Sequence, residues 1–147
     1  MLNKDFFSAK GALSIVVTDD NGNLKQELNV TNLVVDTGLA YIASRMKDAT
    51  ATAMSHMAIG SGTTDPAAGD TALETQLGRV ALESTTVTNN SVAYVASFPA
   101  GTGTGAVTEA GILNAASGGT MLCRTEFAVI NKAAGDSMTI TWTVTVE

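Results

Sequence analysis

His56 is the only histidine in the chain, and histidine is the side chain that most readily gives and takes a proton near neutral pH. Acid–base catalysis would need a nucleophile or second base within its reach, and a zinc centre would need three or four ligands. No second His or Cys stands close in sequence, and His56 sits at alternation inside the strand-like run Met54-Ser55-His56-Met57-Ala58-Ile59-Gly60. It reads as structural. Asp65, Asp70 and Glu74 could approach one another across Pro66 and hold a hard cation through oxygen, but they lack the alternate-carboxylate order of a calcium loop. A solvated loop is the plainer expectation. Gly101, Gly103 and Gly105 resemble a phosphate loop only superficially, because no Lys-Ser/Thr follows and the spacing fits neither a Walker motif nor a dinucleotide fingerprint. A flexible hairpin loop is expected there. Glu109, flanked by apolar residues, could pair with Arg79 or Arg124, and such a buried pair would orient strands instead of catalysing a reaction. No catalytic, cofactor-binding or metal residue is therefore expected, and no cofactor.

The elements that would position these groups are mostly strands. Ser137 to Glu147 alternates strictly, with Met138, Ile140, Trp142, Val144 and Val146 on one face and Thr139, Thr141, Thr143 and Thr145 on the other. Ala12 to Thr18 meets Asp19-Asp20-Asn21-Gly22, and Leu24 to Val30 returns, a hairpin signalled by Asn-Gly. Asp36 opens the one convincing helix, near residues 36–46, with Leu39, Ile42, Ala43 and Met46 on one stripe, Asp36 as N-cap, and Arg45 and Lys47 complementing the far end of the dipole. Further strands fall at Met54 to Gly60, Arg79 to Val87, Ser91 to Phe98, Ala106 to Leu113 and Thr120 to Phe127; Asn89-Asn90 turns the second hairpin, and Asp70 to Leu77 reads as a short helical turn with Leu73 and Leu77 inward. The predicted fold is all-β, an antiparallel two-sheet sandwich of about eight strands with jelly-roll or Ig-like topology left open. Residues 1–147 read as one domain, with 1–10 as an N-terminal arm carrying Phe6 and Phe7.

Composition narrows the function. Charged residues are 15% of the chain against roughly 25% in soluble proteins, while Thr, Ala and Gly number 21, 22 and 14. Such a neutral surface packs well against other protein. A net charge of −6 with scattered cations argues against nucleic acid. The lone Cys123, in an apolar run, reads as a small buried hydrophobe, and neither a signal peptide nor a membrane span is expected.

His56 to Leu73, then Arg79, then Val107-Thr108-Glu109-Ala110-Gly111-Ile112-Leu113, together with the upstream Asp36-Thr37-Gly38-Leu39-Ala40, resemble a pattern of tailed-bacteriophage virion proteins, with the tail-collar fibre domains nearest. The shared features are a strand ending in Gly-x-Gly, a Pro-containing loop, a Thr-Ala-Leu turn, an Arg, and a later strand with Glu and Gly before an aliphatic pair. They span about half the chain. The chain departs from that family in having no coiled-coil heptads, β-helix repeats or receptor-binding tip. The resemblance implies a structural virion protein without turnover, in many copies or as a homo-oligomer: a capsid cement or decoration protein bound to the major capsid protein, or alternatively a tail-collar, tail-fibre or fibre-adaptor piece bound to tail proteins. The expected localisation is the virion, after synthesis in the host cytoplasm. Expected partner-binding residues are Phe6, Phe7, Thr139, Thr141, Thr143 and Thr145. A carbohydrate-binding module is a further alternative, and would need exposed aromatic platforms.

Overall fold

The computed structural model of the chain describes residues 8–47 and 51–147. Nine strands and one helix follow in the order β1 (Ala9–Thr18), β2 (Leu24–Val34), α1 (Asp36–Ser44), β3 (His56–Gly60), β4 (Gln76–Ala81), β5 (Ser84–Thr88), β6 (Ser91–Phe98), β7 (Gly105–Leu113), β8 (Met121–Lys132) and β9 (Ser137–Val146). All pair antiparallel in one sheet of order β4-β3-β7-β8-β2-β1-β9-β6-β5. The all-β, antiparallel class with one short helix is as the alternation predicts.

The topology requires the sheet to curl. Laid flat, nine strands would set β4 and β5 roughly 38 Å apart, yet Leu82 and Glu83 alone connect them, a span of roughly 11 Å at most. The sheet therefore wraps into a half-barrel that brings its two margins together. The same geometry explains why the run read as one strand from Arg79 to Val87 is two. At Leu82–Glu83 the chain steps across, donating from Leu82 N to Ser55 O at 2.9 Å on one margin and from Glu83 N to Val95 O at 2.7 Å on the other.

Inside the curl lies one apolar core drawn from both halves: Leu13, Ile15 and Val17 of β1, Met57 and Ile59 of β3, Phe98 of β6, Ile112 of β7, Ile130 of β8, and Met138, Ile140, Trp142 and Val144 of β9. The alternation of β9 thus places its predicted apolar face inward, and Trp142 reaches Asn32 Oδ1 at 3.1 Å. The halves meet at a short seam, where β2 pairs with β8 only at Leu33↔Arg124 and Val34↔Cys123. Cys123 is fully buried there, and burial pushes its thiol well above the ordinary range. A thiol reagent should therefore label it only as fast as the protein unfolds. Rapid labelling under native conditions, measured with Ellman's reagent, would contradict this placement.

The helix differs in two respects from its predicted form. Its N-cap is Val35, with no side-chain cap; Asp36 lies in the first turn, where its charge still favours the dipole. Its buried face is Gly38 with Tyr41 and Ile42 beside it, while Leu39 is partly exposed and Met46 is 85% exposed. The cause is Gly38, which lets the helix lie against β8 so closely that a Cβ there would stand 2.0 Å from the Leu122 carbonyl oxygen. The last turn holds no basic residue; Arg45 is the C-cap and donates to Ala51 O at 2.7 Å. Residues Asp70 to Leu77 form no helical turn. They run through bends into β4, because their amides are taken by a carboxylate described next.

Candidate functional site

The chemistry-bearing side chains gather on the outer face of the half formed by β3, β4, β7 and β8. Glu109, on β7, is wholly buried. Its Oε1 accepts from Gly62 N at 2.9 Å and Thr75 N at 2.8 Å; its Oε2 accepts from Glu74 N at 3.0 Å and from Arg124 Nε and Nη2 at 3.1 and 2.9 Å. Arg124, 2% exposed, also donates to Asp70 Oδ2 and Thr64 O, both at 3.0 Å. One carboxylate and one guanidinium thereby hold both ends and the middle of the long loop from Ser61 to Thr75. Thr108 Oγ1 adds a 2.6 Å bond to Gly62 O. Gly60 and Gly62 are glycines for a reason: a Cβ on either would stand 2.5 to 2.6 Å from Glu109 Oε1.

Burial alone would raise the Glu109 carboxyl, but the amides of Thr75, Glu74 and Gly62 and the Arg124 guanidinium outweigh it and hold the group below the usual carboxylate range. With five donors on two oxygens, Glu109 has no lone pair left for substrate or metal. Of the two predicted partners, Arg124 is the one that pairs; Arg79 instead donates to Gln76 Oε1, Ala115 O and Gly118 O. The loop packs Leu73 onto a small second core of Val35, Ala58, Leu113 and Met121, so β7 is buried on both faces. Of the residues quoted from the sequence pattern, Thr108 and Glu109 thus anchor the loop, whereas Arg79 and His56 do not.

The other predicted centres disperse. Asp70 Oδ2 serves Arg124 and Ala67 N, and Glu74 Oε1 accepts from Thr63 N at 3.3 Å. Among the described residues no three metal-ligating side chains converge. His56 is half-buried at the start of β3, its Nδ1 2.8 Å from Ser55 Oγ. The glycine loop after β6 is seated, not free. Gly101 and Gly103 take left-handed φ values of 84° and 69°, Gly101 N donates to Ala134 O, and Gly103 lies so close to Ile59 that a Cβ would meet its Cδ1 at 2.4 Å. Beneath it Lys132, 2% exposed, donates to Pro99 O and Asp136 O at 3.0 and 2.7 Å, and Asp136 pairs with Lys25. Nothing in sequence links Lys25, Lys132 and Asp136, so this buried centre had no signal.

Among the described residues, no element packs on the opposite outer face, over β1, β9, β6 and β5. Thr139, Thr141, Thr143 and Thr145 all lie on it, in register with Val16, Ser14, Ala12 and Lys10 of β1 and with Ser97, Val95, Ala93 and Ser91 of β6. Beyond β6 come Ser84, Thr86 and Thr88. Lys10, at one margin, pairs with Glu147; the interior of the face carries no charge. Thr145 and Thr139 are tied to Ser91 and Ser97 at 2.8 and 3.0 Å, whereas Thr141 and Thr143 open with Ala12, Ser14, Asn29 and Glu126 onto a shallow concavity of about 730 Å³. The contributions of β1 and β6 escaped sequence reading, although the small residues alternating through Ser91 to Ser97 were its signal. Phe6 and Phe7, and the greater part of the predicted arm, lie outside the described residues. Trp142 and Tyr94 are buried and Tyr41 is half-buried, so among the described residues no aromatic ring is exposed as a sugar platform. No family model, curated protein or solved structure matches the chain.

Proposed function

We propose that this protein is a structural subunit of a tailed-phage particle, a cement or decoration protein whose Thr-rich face seats on the capsid lattice and acts by binding, without turnover. The observation that carries this reading is the uncharged outer face around Thr141 and Thr143. A hydroxyl and methyl surface is cheaper to desolvate than a charged one, and Glu126 at its rim favours a basic residue on the partner. The sequence resemblance supports the same class, and a jelly-roll or immunoglobulin-like sandwich, with the two halves of the curl as its layers, is the finer architecture this reading implies. Tail-collar and fibre-adaptor placements are the competing positions within the same class.

Particle stoichiometry tests the reading. Quantified against the major shell protein in purified particles, this chain should approach equimolar amounts; about a dozen copies would move it to the tail, and none would remove it from the virion. The double substitution Thr141→Lys, Thr143→Lys should change folding stability by no more than about 0.5 kcal/mol, yet lower particle occupancy roughly tenfold by filling the concavity with two long, strongly hydrated side chains, at most one of which Glu126 can neutralise. Unchanged occupancy would exclude this face.

A further inference from the structure

The free strand edges of the sheet are unequally protected. On β4, Leu77 and Val80 pack on the core, Gly78 lies against Gly103, and the Arg79 side chain closes over the end. Where β2 runs free of β8 it carries Lys25 and Glu27, charges of the kind that deter edge pairing. Strand β5 has no such guard. All five residues, Ser84-Thr85-Thr86-Val87-Thr88, are exposed; among the described residues they pair only with β6, and they contain no charge, Gly or Pro, show no register shift, and leave Val87 70% exposed.

We propose that a second copy of this chain adds antiparallel along β5, about a two-fold axis through Thr86, joining two half-barrels into one continuous sheet. The strand is its own complement in this register. Ser84 falls opposite Thr88 of the other copy, Thr85 opposite Val87, and Thr86 opposite itself, so hydroxyls meet hydroxyls on the outer face. On the inner face, Val87 and Thr85 line a mainly apolar recess of about 340 Å³ with Val92, Tyr94 and Val144, to which α1 and its C-cap contribute Tyr41, Ile42 and the one charged group, Arg45. Pairing continues the wall of that recess and covers the exposed valine. Charge selects the direction. Each copy carries −6, so a stable contact needs an uncharged strip; antiparallel addition sets Glu83 opposite Asn89, whereas parallel addition would set Glu83 against itself. The pairing uses main-chain groups and extends the Thr-rich face across both copies.

Sedimentation equilibrium of the full chain should show a reversible dimer. Val87→Asp, at a position exposed in the monomer, should keep the melting temperature that the parent shows when dilute enough to be monomeric, and weaken the dimer at least tenfold. Thr86→Cys should form a covalent dimer on mild oxidation, because residues facing across antiparallel strands lie about 4.5–5.5 Å apart at Cα, within disulfide reach; Thr88→Cys, offset from its own copy, should not, and buried Cys123 does not compete. A monomer at every concentration, an unweakened dimer in Val87→Asp, or equal cross-linking of the two cysteine variants would overturn the proposal. These measurements need no particle, so they stand or fall apart from the capsid reading.

Discussion

Glu109→Ala is expected to melt roughly 10 °C below the parent, the product of about 3–5 kcal/mol for breaking a buried ion pair and about 2–4 °C per kcal/mol in a chain of this size. The cost arises from what remains. Arg124 would stay buried as an uncompensated cation, and the amides of Gly62, Glu74 and Thr75 would lose their acceptor. Glu109→Gln should recover little, since whichever oxygen is replaced, the new amide nitrogen faces donors and can accept from none of them. Hydrogen exchange supplies a local readout: the Gly62, Glu74 and Thr75 amides should lose protection in both variants, while strand amides of the main core keep theirs. A Glu109→Ala protein melting within a degree of the parent would refute the anchoring role.

The same group sets an acid limit. A carboxylate whose folded pKa is lowered stabilises the fold fully above its unfolded pKa, and that contribution is lost as pH falls through the folded value. Glu109 is of this kind, as is Asp136, held low by Lys25 and the Ala133 amide. Melting temperature should therefore stay flat through the neutral range and fall below about pH 4, and Glu109→Gln should flatten that acid limb.

Gly38→Ala is expected to destabilise the protein, against the usual sign. In an ordinary helix interior the change gains roughly 0.5–1 kcal/mol. Here the added methyl would stand 2.0 Å from Leu122 O, 2.8 Å from its carbonyl carbon and 3.0 Å from its Cα, all backbone atoms of β8 that no rotamer change can clear. Overpacking of this sort costs about 1–3 kcal/mol or more, and relief requires lifting α1 off the strand, which also strains the bond from Thr37 Oγ1 to Met121 O. Gly69→Ala is the control: its Cβ would meet nothing within 4 Å, and its melting temperature should match or slightly exceed the parent's. Equal behaviour of the two variants would show that the helix does not sit this closely on β8.

How much of this was legible in the sequence depends on how local each cause is. The faces of β9 and β6 were, because period-two alternation is written into consecutive residues. The first hairpin was too: Asp19 Oδ1 accepts from Asn21 N and Asn23 N at 2.9 Å, and Gly22 takes φ 81°. Strand β7 was found but its double burial was not, since a covering loop whose bonds to Glu109 span 34 to 47 residues leaves no periodic mark. The rotation of α1 was missed because hydropathy favoured Leu39 and Met46, while the contact that decides the face is the missing side chain of Gly38. Glu109 with Arg79 or Arg124 was as far as sequence could go; register chose Arg124, which lies diagonally across β7 and β8. Of the candidate docking residues, the threonines of β9 could be placed on one face, but their neighbours on β1 and β6 follow only from the strand order.

That strand order also governs how fast the molecule can form. Strand β9 lies between β1 and β6, so Lys10 must find Thr145 and Ser91 must find the same residue from the other side. The β1–β2 and β5–β6 hairpins can zip early, and β1–β2 can join β8 at the seam, but β5–β6 gains no place in the sheet until the segment from Ser137 to Val146 threads between β1 and β6. Closing loops of that length before any reward from packing places such chains at the slow end of two-state folding, in milliseconds to seconds. Until β9 arrives, the apolar inner faces of β1 and β6 stand open beside its empty place, and that interval is when strands of other chains compete for the position β9 will fill.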